Sequence, residues 1–325
     1  MLCDKLVFGL NADSEIIINK GPPVMNNEER MKVVNACKWT DEVHAETDYF
    51  VSEKVLDQFK CDFYLHGDDP CYNTEGVDMC QELSKVGKFK VFKRTSGVST
   101  TGLTAKLLRL FDSEDVKQAR RKEIPKQQFL QTSSKIAYFS NQREPLPTDT
   151  IVYMAGSLDL MHPGWIDRIK LAKEQGDFLY VGIWDDEMTR FYRGNDFPIQ
   201  PLQERVLETL ACKYVDEVII GAPFILTKDL ITTLNISKVV VFNTAEDSLM
   251  PEHKGVDAYE IARQMNLLVE MPPIENELTL EILASRVLDQ KAEFEKKVLR
   301  KTTSENKYYD EKQTGLAEVS PVKTA

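Results

Sequence analysis

The sequence predicts an α/β fold of two tandem doubly wound domains with parallel sheets, the first lacking its opening β–α unit. Three observations carry this reading. Apolar runs of strand length alternate with longer helical patterns along most of the 325 residues, and such alternation puts helices on both faces of parallel sheets. The chain also repeats itself. ERMKVVNACKWTDEV at Glu29–Val43 matches ERVLETLACKYVDEV at Glu204–Val218, with Arg30/Arg205, Ala36/Ala211, Cys37/Cys212, Lys38/Lys213 and Asp41/Asp216 in register. A pattern shared at so long a period means two similar domains rather than a solenoid. Finally, the match extends backwards to Asp13/Asp186, and only the second copy has a further strand–helix unit, about Thr150 to Gly176, ahead of it.

Each element has its own reason. In the first copy Leu6–Leu10 is an apolar strand, and Asn27–Trp39 is a helix with Asn26 or Asn27 as cap and Glu28 and Glu29 in its first turn. Short strands at Glu42–His44, Asp62–Leu65 and Phe89–Phe92 alternate with helices at Ser52–Phe59, Gly76–Val86 and Thr100–Leu110. In the second copy strands are expected at Ile151–Ala155, Phe178–Trp184, Asp216–Ile220, Val239–Phe242 and Leu267–Met271. Helices are expected at Pro163–Glu174, Leu202–Lys213, Thr227–Leu234, Asp257–Asn266 and Leu278–Lys301. The domains are drawn at 1–111 and 150–301, with a polar linker at 112–149 and a disordered tail at 302–325. Within the linker, Phe129-Leu-Gln and Ile136-Ala-Tyr-Phe are candidates to dock on a domain.

Composition narrows the function. A net charge of −11 argues against nucleic acid as a main partner. Six cysteines without a Cys-x-x-Cys pair, and four histidines, form no metal-ligand pattern and suit a reduced, cytoplasmic protein. No signal peptide and no transmembrane segment are expected.

Three motifs carry chemistry. Arg94-Thr-Ser-Gly-Val-Ser-Thr-Thr101 follows a strand and enters a helix. It gathers a guanidinium, hydroxyls and backbone N–H groups at a helix N-terminus, which suits a polyphosphate, and Gly97 lets backbone approach it. The bland alternative is a Ser/Thr-capped helix. His66-Gly-Asp-Asp69 follows a strand at the end of a parallel sheet where ligands bind; the alternative is a capped turn. Lys20-Gly-Pro-Pro puts a lysine before a rigid turn, within reach of a phosphate; the alternative is an exposed lysine.

RTSGVSTT, KGPPVMNNEER and HGDD together closely resemble the cytidylyltransferases, and the tandem arrangement resembles their two-domain, ethanolamine-phosphate group, over nearly the whole chain to about Arg300. The resemblance implies two tandem Rossmann-like nucleotidyltransferase domains and transfer of a cytidylyl group from CTP to phosphoethanolamine for phosphatidylethanolamine synthesis. It implies catalytic roles for Lys20 and Arg94. Nucleotide contacts would come from Arg30, His66, Arg94, Thr95, Gly97, Ser99, Thr100 and Thr101, and substrate contacts from Asp68 and Asp69. Mg²⁺ is expected with CTP. The protein is expected in the cytoplasm, with association with the endoplasmic reticulum surface and a homodimer kept open.

The chain departs from the family pattern in one respect. Neither copy carries the family's His-x-Gly-His; the second has His162-Pro-Gly-Trp165, with Trp165 read as core packing, Pro273 in the place of Arg94 and Leu278 in the place of Ser99. The second domain is therefore read as a degenerate copy. The first is read as N-terminally shortened, through an alternative start, splice form or incomplete gene model, and so impaired in turnover. The alternative is a non-catalytic CTP-binding or regulatory partner of a longer enzyme.

Overall fold

The structure is a computed structural model that describes residues 3–68, 80–93, 95, 99–121, 133–140, 143–243, 253, 255–275, 277–296, 299 and 303. The first repeat runs β1 (Val7–Asn11), α1 (Asp13–Lys20), α2 (Asn27–Ala36), β2 (Glu42–Thr47), α3 (Glu53–Gln58), β3 (Tyr64–Gly67), α4 (Gln81–Lys85), β4 (Phe89–Phe92) and α5 (Thr100–Leu108). After α6 (Glu114–Arg121) and α7 (Ser133–Phe139), the second repeat opens with β5 (Ile151–Gly156), α8 (Pro163–Lys173), β6 (Phe178–Ile183), α9 (Asp186–Arg193) and α10 (Leu202–Ala211). It continues through β7 (Glu217–Ile220), α11 (Lys228–Thr233), β8 (Lys238–Phe242), α12 (Glu260–Gln264), β9 (Leu268–Met271) and α13 (Leu280–Asp289).

The second repeat forms one parallel sheet in the order β7-β6-β5-β8-β9. Its opening strand is central, so β5 and β6 are buried almost throughout, which is why their sequences are continuous apolar runs. On one face Val152 and Met154 of β5 pack with Trp165, Ile166 and Ile169 of α8 and Val206 and Leu210 of α10. On the other, Tyr153, Phe178 and Tyr180 meet Ile231 of α11 and Ala262 of α12.

The first repeat forms two separate parallel pairs, β1 with β2 and β3 with β4. These correspond to β6–β7 and β8–β9. Among the described residues no strand joins them as β5 joins β6 to β8. Among the described residues each pair keeps unpaired edges, and their strands are half-buried or exposed.

The chain divides into two compact units, Met1–Met31 with Glu42–Glu123 and Ser285–Ala325, and Lys32–Asp41 with Ile124–Ala284. Within the second unit, Ile136 and Phe139 of α7 pack against the core, the docking expected of that linker segment. Phe129 lies outside the described residues. No helix of the described residues is long and apolar enough to cross a membrane.

Several elements differ from the sequence reading. α1 and α9 were not anticipated. The Ile16-Ile17-Ile18 run favours strand by its β-branching, but Asp13 and Glu15 sit in the first turn and Gly21, at φ 76, closes the helix. β3 begins two residues later than expected, so His66 lies inside the strand rather than after it. α13 ends at Asp289, and after a turn at Gln290 helix resumes at 291–296, so the helix expected to run unbroken to Lys301 is interrupted at that turn.

Candidate active site

In the first repeat the register of β3 on β4, with Gly67 opposite Phe92, makes both strands end together. Asp68, just past β3, and Thr95, just past β4, therefore leave the same end of one sheet. His66 Nδ1 lies 2.9 Å from the Gly67 carbonyl. A carbonyl only accepts, so Nδ1 is the donor in this contact. Ser99 caps α5, accepting from the Gly102 N–H at 3.0 Å while its carbonyl accepts from Leu103. Thr104 and Leu107 anchor the helix, and its first turn holds no acidic residue. The backbone N–H groups of Thr100 and Thr101 thus begin a nine-residue helix whose dipole and hydroxyls favour an anion. Asp69, Arg94 and Gly97 lie outside the described residues.

On the other strand pair, Lys20 is exposed at the end of α1, its Nζ 5.6 Å from the Tyr49 ring centre. Arg30 is half-buried. It donates to the Asn11 carbonyl at 2.9 Å and to Asp13 Oδ1 at 2.7 Å.

The second repeat reproduces this geometry residue for residue. Arg205 donates to the Trp184 carbonyl at 2.9 Å and to Asp186 Oδ1 at 2.6 Å, as Arg30 does to Asn11 and Asp13. The correspondence continues along α9, whose last residue Arg193 precedes Gly194, just as Lys20 precedes Gly21. Arg193 is thus the counterpart of Lys20. The signal for it in the sequence is the Asp13/Asp186 register, which aligns Lys20 with Arg193 seven residues further on once both segments are helical.

The cap of the last helix corrects one assignment. Thr279, not Leu278, matches Ser99. It accepts from Ile282 through its hydroxyl and from Leu283 through its carbonyl, the same i+3 and i+4 pattern. Thr101 then corresponds to Glu281. Arg193 donates to Glu281 Oε1 at 2.9 Å and to Ser157 Oγ at 2.9 Å. In the second repeat a protein carboxylate therefore sits at the helix start and is paired with the cation.

The β5–α8 loop of the second repeat is likewise closed by the protein itself. Leu158 and Leu160 take positive φ, 44° and 60°, a strained conformation for such residues. Asp159 holds the loop by accepting from the Ile199 and Gln200 N–H groups at 2.6 and 2.9 Å, and Gln200 accepts from Leu160 N–H at 2.8 Å. Glu208 accepts from Gln200 Nε2 at 2.6 Å and from Met161 N–H at 3.2 Å. Burial pushes the Asp159 and Glu208 carboxyls above the ordinary range, against the opposing pull of these hydrogen bonds. His162 is fully buried beside Trp165, with ring centres 6.3 Å apart. Trp165 packs on bare backbone: a Cβ on Gly156 would lie 2.9 Å from its Cη2.

Comparison with known proteins agrees with this doubled architecture. The cytidylyltransferase-like family profile matches residues 2–121 and 153–289. An ethanolamine-phosphate cytidylyltransferase of Dictyostelium discoideum is 40% identical over 95% of this chain and 90% of its own length. Its counterpart from Arabidopsis thaliana is 36% identical over 96% of this chain and 80% of its own length, and that from Mus musculus 33% over 93% and 83%. The chain belongs to the cytidylyltransferase-like family and, within it, to the ethanolamine-phosphate cytidylyltransferases.

Proposed function

We propose that the chain is built to transfer a cytidylyl group from CTP to phosphoethanolamine, giving CDP-ethanolamine and pyrophosphate, and that the first repeat is its catalytic half. The observation that carries this is the Arg193–Glu281 pair. It marks the place where a cation on the α1/α9 helix meets an anion at the start of the α5/α13 helix. In the first repeat the cation is retained as Lys20, while Thr101 stands where Glu281 would supply the anion. The phosphates of CTP are the natural occupants.

The phosphate oxygen of phosphoethanolamine attacks the α-phosphorus of CTP in line. The bond to the bridging oxygen of pyrophosphate breaks, and no covalent bond to the protein forms. Catalysis is then positioning and charge stabilisation. Lys20 and Arg94 are assigned to neutralise the negative charge of the transferring group. Ser99, Thr100 and Thr101 hold phosphates through the start of α5, with Thr95 and Gly97 shaping the approach. His66 serves the nucleotide, and Asp68 and Asp69 meet the ammonium group of the substrate. Arg30 acts through Asn11 and Asp13 as a positioning residue. Among the described residues no three His, Cys, Asp or Glu side chains converge, so Mg²⁺ fits as a companion of the triphosphate, which supplies its oxygen ligands. Bound there it would neutralise phosphate charge. The reaction belongs in the cytoplasm.

One observation favours a second reading. His162-Pro-Gly-Trp165 stands in the place of a His-x-Gly-His, and this chain has none elsewhere, so it would bind CTP with little or no turnover. CDP-ethanolamine formation decides between the readings. This chain is assayed beside one carrying a strand–helix unit with His-x-Gly-His ahead of Met1. Turnover that appears only in the extended chain, and disappears with Lys20→Ala, supports the catalytic assignment and the impairment together. CTP binding without turnover in both chains supports the second reading.

A further inference from the structure

We propose that the second repeat has a binding site of its own, for a small planar ring bearing carbonyl oxygens. A cavity of about 180 Å³ opens where β5, β6 and β8 end, lined by Trp165, Arg168, Trp184, Phe224, Val240 and Tyr259 among others. The strand order turns between β5 and β8, and the crevice beyond the carboxyl ends of strands at such a point is where open α/β sheets take ligands.

Size and walls select a ring. An apolar cavity of roughly 150 Å³ is large enough for benzene, whereas pockets for drug-sized ligands run from about 300 Å³. Five of the lining side chains are aromatic, and Trp184 and Phe224 meet edge to face with centres 5.1 Å apart. Flat apolar walls of this kind favour a flat occupant.

The polar groups select the acceptors. Trp165 and Trp184 are 2% and 4% exposed, and neither indole Nε1–H has a hydrogen-bond partner among the described residues. An indole N–H only donates, and a buried donor without an acceptor is costly. Ring carbonyl oxygens would satisfy both donors. A phosphate is not required, because Arg168 donates from Nε to Glu277 at 2.5 Å and lies 4.5 Å over the Trp165 ring. The ring could come from a free heterocyclic base or from the base of a nucleotide reaching in from the open side.

The test uses the full chain with Trp39→Phe, which leaves Trp165 and Trp184 as the emitters among three tryptophans. Uracil and Mg·CTP are titrated separately while tryptophan emission is followed, and CTP is repeated with Lys20→Ala added. A saturable change with uracil, or with CTP in the Lys20→Ala background, supports the site and identifies the source. Trp184→Phe, which keeps the ring and removes the donor, should weaken that binding at least tenfold. Ala258→Leu, which fills the cavity, should abolish it, and toluene should bind at least tenfold more weakly than uracil. No saturable change with either probe, as for a cavity holding water alone, overturns the proposal. So does unchanged affinity in both variants, or toluene binding as well as uracil. The readout is independent of catalysis, so failure here leaves the catalytic reading standing.

Discussion

Cys37 and Cys212 occupy equivalent positions in the two sequence repeats and lie opposite one another in an antiparallel bridge. The exchange around them is reciprocal: Lys38 N–H donates to the Ala211 carbonyl at 2.9 Å, and Lys213 N–H to the Ala36 carbonyl at 2.8 Å. A self-complementary contact between like segments has this form. Cys37 and Cys212 are the pair that does not exchange hydrogen bonds, the type in which Cα atoms approach to about 4.5 Å and side chains lie closest.

That separation is within the range a disulfide spans. Peroxide should therefore join Cys37 to Cys212, read as one crosslinked peptide in a non-reducing digest. Burial lifts the Cys212 thiol to about 11, so its reactive thiolate is scarce at neutral pH. The crosslink should form slowly there and faster as pH rises. A digest that links either cysteine to another partner would refute the geometry.

Arg205 and Arg30 make equivalent contacts at different depths. Arg205 is fully buried, and its side chain also donates to the Ser157 and Gln200 carbonyls. Arg205→Ala leaves the carbonyls of Ser157, Trp184 and Gln200 without their buried donor and Asp186, itself partly exposed, without its cation, and should cost about 3–5 kcal/mol in urea unfolding. Arg30→Ala should cost about 1–2 kcal/mol, since Arg30 is itself partly solvated and serves one carbonyl besides Asp13. Equal losses would contradict the difference in burial.

Glu208 makes stability depend on pH. Its carboxyl is raised by burial, so the folded chain holds the proton more tightly than the unfolded one. Its contribution is largest below the ordinary glutamate value and is lost as pH rises from there through the folded value. Glu208→Gln should flatten this part of the stability–pH profile, leaving the share of Asp159. An unchanged slope in urea melts across that window would remove Glu208 as its source.

Thr101→Glu converts the start of α5 to the arrangement of α13. A carboxylate in the first helical turn should stabilise the first repeat by about 0.3–1 kcal/mol. It should also pair with Lys20 and abolish CTP binding. Isothermal titration with CTP and a thermal melt on the same sample test both signs at once. CTP affinity within twofold of the unsubstituted chain would disconnect Glu281 from the nucleotide site.

The repeat, the strand–helix alternation and the central place of the opening strand were legible in the sequence, because burial on both faces writes a strand such as Phe178–Ile183 as an unbroken apolar run. That a hydroxyl caps α5 was legible in Arg94–Thr101, but which one was not, because several Ser and Thr side chains there can accept a helix N–H and only the fold puts Ser99 opposite Gly102. α1 was not, since three isoleucines favour strand locally and the helix depends on its end groups. Nor could the sequence alone reveal that Arg193 answers to Lys20 and Thr279 to Ser99. Those equivalences are set by where a side chain ends in space. A one-residue shift in alignment costs nothing on paper, whereas in the fold only Thr279 can accept the Ile282 N–H. Tertiary structure also decided that Glu281 reaches Arg193, because ion pairs between residues so distant in sequence exist only once the sheet has brought the helix ends together.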